Sequence, residues 1–234
     1  MPLLIAVGKE KFDEKLRLAK KYNIGVELVL FQDQEKLFDT NNLEKIKRAL
    51  NDINNVVIHG PYSFLNSKDS VMEIIERTFF VSNFLNSKKL VFHTGYNENN
   101  MGDVISFWKE VSSLAPDGLS IYLENTREEP QEMKHILDGI QDDKFKICMD
   151  IGHLLVHSKS DINFWIETLG ERISYIHIHN NDGMEDQHLP LAMGKFNMKE
   201  LYDKIKQLDV SLEAFGDIEI LESDIRNLIS WSKL

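Results

Sequence analysis

The chain has 234 residues, 42% of them hydrophobic and 28% charged, which suits a globular protein with a sizeable core and excludes a disordered or fibrous chain. It carries 27 Lys and Arg against 38 Asp and Glu, a net charge of −11. That balance argues against a protein that grips nucleic acid or a membrane surface through a basic excess, whereas carboxylates suit divalent cations.

The chain opens on an apolar run, Leu3–Val7, read as the first strand. The wider run Pro2–Val7 is too short for a signal peptide core, and no later stretch approaches a membrane span, so a soluble cytoplasmic protein is expected. Phe12, Leu16 and Ala19 then predict a helix with one apolar stripe. Gly25–Phe31 is the second strand, followed by a helical pattern at Leu43, Ile46, Leu50 and Ile53 with Asn42 as its cap. Val56–His59, Leu90–His93, Leu119–Glu124 and Phe145–Asp150 are the next strands, with Asp69 and Asp103 as caps of intervening helices. Cys148, in the last of these, is the single cysteine, so there is neither an internal disulfide nor a cysteine-type zinc finger. Ser160 precedes the pattern Ile162, Trp165, Ile166, Leu169. Ile173–His179 is the seventh strand, and Asn197 precedes Met198, Leu201, Ile205 and Leu208. Val210–Phe215 is the eighth, and Leu221 to Trp231 the last helix.

The apolar runs are short, rich in Val, Ile, Leu and Phe, and not strictly alternating, as in strands buried on both faces. Eight strands alternating with eight helices imply a parallel sheet with right-handed crossovers. At about 29 residues per unit, a single (β/α)8 barrel over residues 1–234 fits. An open doubly wound sheet is the alternative, but no G-x-G-x-x-G follows any strand.

The strand ends carry the chemistry. Strand three ends in His59, strand four in His93, strand five in Glu124-Asn125-Thr126, and strand six in Asp150-Ile-Gly-His153. Strand seven ends in His177-Ile-His179 with Asp186-Gln-His188 in its loop, and strand eight carries Glu213. In a barrel these ends meet at one mouth. Imidazoles and carboxylates are the ligands of zinc, manganese and iron. Five of the eight histidines, His59, His93, His153, His179 and His188, form the ligand-type set at these ends, which points to a metal site there. His135 and His157 are read as solvated. His177 faces the same side as His179, and is read as a packed interior residue before a contact behind the ligands or a substrate contact.

In order, His-Gly-Pro-Tyr, His-Thr-Gly, Leu-Glu-Asn-Thr, Met-Asp-Ile-Gly-His, His-Asn-Asn-Asp, Asp-Gln-His-Leu-Pro-Leu and Leu-Glu resemble the xylose isomerase-like TIM-barrel superfamily. That group includes sugar and sugar-phosphate isomerases and epimerases, and endonuclease IV. The resemblance to the isomerases implies one divalent metal, Zn, Mn or similar, on Glu124, Asp150, His179 and Glu213. Glu124 and Glu213 would move the substrate proton, and His153 and His188 would contact a sugar or sugar phosphate. The resemblance to endonuclease IV implies up to three ions, on His59, His93, Glu124, Asp150, His153, His179, Asp186, His188 and Glu213, with Tyr62 beside them. Its activity would be cleavage of a phosphodiester, in abasic DNA or another phosphoester, with nucleic acid as partner only under this reading. Compact loops and dispersed basic residues favour the isomerase or epimerase. The family usually has Gly-Glu-Gly after His-Leu-Pro-Leu; Ala192-Met193-Gly194 stands here, so the loop's hydrogen bonding is expected to differ, and a barrel that only binds a ligand is the third reading.

Overall fold

The computed structural model describes residues 2–30, 39–61, 68–96 and 100–233. Eight strands are β1 (Leu3–Val7), β2 (Gly25–Val29), β3 (Val56–His59), β4 (Lys89–His93), β5 (Ser120–Glu124), β6 (Phe145–Asp150), β7 (Ile173–Ile178) and β8 (Asp209–Leu212). They are parallel neighbours in sequence order. β8 closes on β1 through Leu3↔Val210 and Ile5↔Leu212, giving a closed (β/α)8 barrel.

The helices are α1 (Phe12–Tyr22), α2 (Thr40–Ala49), α3 (Lys68–Leu85), α4 (Met101–Leu114), α5 (Pro130–Ile140), α6 (Ile151–His157), α7 (Ile162–Leu169), α8 (Met198–Asp203) and α9 (Ile218–Trp231). Nine α-helices among the described residues exceed the eight expected, because α6 starts directly on the last residue of β6. Local chemistry sets their ends. Asp39, not Asn42, caps α2 by accepting from Asn41 N at 3.1 Å. Asn100 precedes α4 and leaves Asp103 in the first turn. Asp161, next to Ser160, accepts from Asn163 N and Phe164 N at the start of α7, and Asn197 caps α8 as expected. Pro130 opens α5 behind a reciprocal Glu129–Glu132 capping box, a preorganised first turn.

Between strands and helices lies the main core, with Trp108 and Trp165 fully enclosed. Inside the barrel a second apolar cluster joins Leu4, Val57, Val91, Tyr122, Cys148 and Tyr175, one residue from each of six strands. This plug is the floor of the site, because side chains two residues further along a strand point the same way.

Candidate metal centre

Two residues above the plug, the inward positions become polar. Val57 is followed by His59, Val91 by His93, Tyr122 by Glu124, Cys148 by Asp150 and Tyr175 by His177. One strand repeat therefore separates an apolar layer from a layer of ligand-type side chains. Glu124, Asp150, His177 and His59 are all buried.

At the centre, His177 Nδ1 lies 3.5 Å from Glu124 Oε1, 3.6 Å from Asp150 Oδ2 and 3.4 Å from Glu213 Oε2. Neither Nδ1 nor Asp150 Oδ2 has a hydrogen-bond partner among the described residues, although both are buried. A divalent ion about 2.1 Å from four N and O ligands sets those ligands about 3.4 Å apart in a tetrahedron. The spacing and the two orphaned atoms fit such an ion.

Two further groups flank this cage. Glu124 Oε2 is 2.8 Å from His59 Nε2 and 3.2 Å from His93 Nε2, so the two Glu124 oxygens serve different neighbours. On the other side, Asp186 Oδ2 is 3.1 Å from His153 Nε2 and 3.3 Å from His188 Nε2, and its Oδ1 is 3.8 Å from His179 Nε2. Each set brings its ligand atoms within 4.8 Å of one another.

Hydrogen bonds behind the rings fix which nitrogen faces inward. His59, His153 and His188 each donate Nδ1–H to a main-chain carbonyl, of Gly60 at 2.8 Å, Asn125 at 2.8 Å and Glu213 at 2.9 Å. That leaves Nε2 free as a donor atom, the usual arrangement behind a metal-binding histidine. Asn125 also pins Asp150, exchanging side-chain hydrogen bonds with its backbone N and O. Asp150 Oδ1 accepts from His153 N at 2.7 Å and so caps α6.

Burial alone would push the carboxyls of Glu124 and Asp150 up, but the surrounding histidines hold both well below the usual carboxylate range. Burial would likewise lower His59. The hydrogen bond and charge of Glu124, with Glu27 and Glu213, raise it instead to about 9. His188 is raised to about 9, burial again being outweighed, by the Asp186 hydrogen bond and the charges of Glu213, Asp186 and Asp150.

The structure thus gathers Glu124, Asp150 and Glu213 as the sequence reading grouped them, with a difference in the histidine. His177, one layer deeper, faces the three carboxylates. His179 lies across Asp150, 3.2 Å from its Oδ1, stacked on His188 with ring centroids 3.9 Å apart. Tyr62 lies outside the described residues. His135 and His157 are exposed. Glu27, fully buried on β2, faces His177 and was not singled out by the sequence.

The loop after β7 is held without the family's glutamate. Asn180 Nδ2 donates to Leu191 O at 2.8 Å and Phe196 O at 3.0 Å. Asn181 Oδ1 accepts from Gln187 N and His188 N, which turns Asp186 and His188 toward the mouth. His188 takes a left-handed backbone, φ 49°, a strained conformation of the kind found at functional sites. Gly194 must lack a side chain, since a Cβ there would lie 2.2 Å from Asn180 Cγ. Met193 is exposed.

Among known proteins, a curated relative is an uncharacterized protein of Methanocaldococcus jannaschii, 26% identical over 202 residues, 74% of this chain and 66% of the relative. The chain thus spans about two thirds of that relative's length. The TTHB071 protein of Thermus thermophilus, from a ZnCl2 soak, superposes with a TM-score of 0.83 at 18% identity, covering 100% of this chain and 98% of that one. A D-tagatose 3-epimerase-like protein gives 0.79 at 18% identity, covering 100% and 97%. The structural neighbours include sugar epimerases and a dehydratase, and at these identities the likeness shows the fold. The xylose isomerase-like TIM-barrel profile matches residues 16–233, nearly the whole length, and the chain belongs to that family.

Proposed function

We propose that the chain is a divalent-metal-dependent isomerase or epimerase of a sugar or sugar phosphate. The observation that carries this reading is the cage of three carboxylate oxygens around His177 Nδ1, at 3.4 to 3.6 Å. Glu124, Asp150, His177 and Glu213 would hold the ion, Zn or Mn by donor type. Bound there, it would polarise a carbonyl and the neighbouring hydroxyl and so acidify the C–H bond between them. The sugar epimerases among the structural neighbours support the reaction class.

In this reading the chain's own groups move the proton. Glu124 is ionised at neutral pH because histidines hold its carboxyl low, so it can act as a base. Glu213 lies across the same cage, its Oε2 3.4 Å from His177 Nδ1, and returns a proton on the other face of the carbon. His153 and His188 stand at the rim, where their Nε2 atoms reach sugar hydroxyls. Phe215 stacks on His188, with centroids 4.9 Å apart, while 65% exposed. It offers an apolar wall to the C–H face of a sugar.

The two flanking groups, His59–His93–Glu124 and His153–His179–Asp186–His188, favour a second reading. With three ions, water activated between metals would cleave a phosphodiester, as an abasic-site endonuclease does. The test is metal content of protein purified without chelator, followed by two assays. Deuterium entering a ketose or ketose phosphate from deuterated water supports the isomerase; nicking of abasic duplex DNA without such exchange supports the phosphodiesterase.

A further inference from the structure

Glu27 is a fully buried carboxylate with no part in the reaction outlined above. It lies on β2, in register with Ala6 on β1 and Val57 on β3. A buried carboxylate persists only when paired and hydrogen-bonded, so its partners define its task. Tyr175 Oη donates to Glu27 Oε2 at 2.6 Å. His177 Nε2 lies 2.9 Å from Oε1 and 3.1 Å from Oε2. Tyr175 and His177 are two residues apart on β7 and face the same way, so Glu27 bridges the apolar floor and the ligand layer.

His59, His153 and His188 have Nδ1–H taken by a main-chain carbonyl and turn Nε2 inward. His177 is reversed. Among the described residues no carbonyl takes its proton; the Glu27 carboxylate, which only accepts when ionised, stands at Nε2 instead. The proton of the neutral ring therefore belongs on Nε2, and Nδ1 is the nitrogen left to bind an ion. That is the atom facing Glu124, Asp150 and Glu213.

We propose that Glu27 is a positioning residue of the metal centre: it holds the Nε2 proton of His177 and so presents Nδ1 as a donor atom to the space between the three carboxylates. The proposal rests on the reading that those carboxylates hold a divalent ion. Glu27 also lies within 4.8 Å ligand range of His59, His177 and Glu213. Its Oε2 takes the hydrogen bonds of the Tyr175 hydroxyl and the His177 ring, and its Oε1, without a hydrogen bond among the described residues, lies 2.9 Å from that same ring nitrogen; both oxygens thus face the His177 ring, which favours positioning over ligation.

The test is a zinc titration of the chelator-stripped full chain, wild type and Glu27→Gln, read by calorimetry and by 15N NMR of the histidine rings. In the wild type, His177 should show a protonated Nε2 before and after zinc, with the Nδ1 resonance moving on binding. A carboxamide can turn its NH2 toward Nε2 and send the proton to Nδ1. Glu27→Gln should therefore bind the same number of ions at saturation, with affinity at the site that His177→Asn abolishes weakened about 10- to 100-fold. Glu27→Asp, which keeps the carboxylate, should recover part of the loss. Affinity unchanged within twofold in Glu27→Gln, one whole equivalent lost at saturating zinc, or Nδ1–H in the zinc-loaded wild type would each overturn the proposal. Should Glu27→Gln fail to fold, the wild-type tautomer decides alone. A wild type that takes up no zinc overturns the metal reading and this proposal together; zinc uptake with an unaffected Glu27→Gln overturns this proposal only.

Discussion

The imidazole of His179 rests on the α-carbon of Gly152: a Cβ at that position would lie 1.9 Å from His179 Cε1. α6 starts immediately after Asp150, and its second residue must pass beneath the ring. In an ordinary helix Gly→Ala gains about 1 kcal/mol, whereas a forced overlap in a packed interior costs about 1–3 kcal/mol. The overlap wins. Gly152→Ala is expected to lower stability by the difference, up to about 2 kcal/mol, and to move His179 away from Asp186, read as a lower Tm and a weaker ion at the rim. A variant as stable as wild type would contradict the packing argument.

The β7 histidines differ in depth, and their loss should differ in kind. His177→Asn should empty the central cage. His179→Asn should keep an ion there and weaken only the group around Asp186. Elemental analysis after exhaustive dialysis reads this directly; the reverse pattern would return His179 to the central ligand set.

Ion binding should raise stability, because the cage exists only in the folded chain. At a free ion concentration about a thousandfold above Kd the gain is about 4 kcal/mol. For a chain of this size that corresponds to roughly 8–16 °C in Tm. Scanning calorimetry with zinc or manganese against excess chelator checks it.

The ion-free protein should carry a pH signature. His59 and His188 titrate at about 9, above the ordinary 6.5. A histidine raised in the folded state adds its full stability below pH 6.5 and loses it as pH rises through 9. Glu124 and Asp150 are depressed, so their contribution is present above about pH 4, the ordinary carboxylate range, and is lost as pH falls. Ion-free Tm should therefore peak between about pH 5 and 6.5 and decline toward pH 9. With zinc the alkaline decline should shrink, since protons leaving the rings free them to bind. A Tm that rises from pH 6.5 to 9 without metal would contradict this assignment.

Much of the barrel was legible because strand ends and helix stripes follow two simple periods. His59, His93, Glu124 and Asp150 close apolar runs, and the barrel brings such ends together. Glu27 was harder to find. It sits inside Gly25–Val29 between Val26 and Leu28, and its one signal was a charge in the middle of a buried parallel strand. His177 and His179 share a face, and sequence spacing does not say which lies deeper. α6 was missed because nothing separates it from β6: the Asp150 side chain is both its cap and a site carboxylate. In the loop where the family's glutamate is absent, at Ala192–Gly194, Asn180 and Asn181 supply hydrogen bonds.

The central claim is that the cage activates a carbon acid between Glu124 and Glu213. The most direct measurement is solvent deuterium incorporation into a panel of ketoses and ketose phosphates by the metal-loaded protein, beside the chelated protein and Glu124→Gln and Glu213→Gln. The account predicts metal-dependent deuterium at the carbon next to the carbonyl of at least one sugar, abolished by either substitution, because a carboxamide is no base. Exchange absent across the panel, with efficient metal-dependent nicking of abasic duplex DNA, would contradict it.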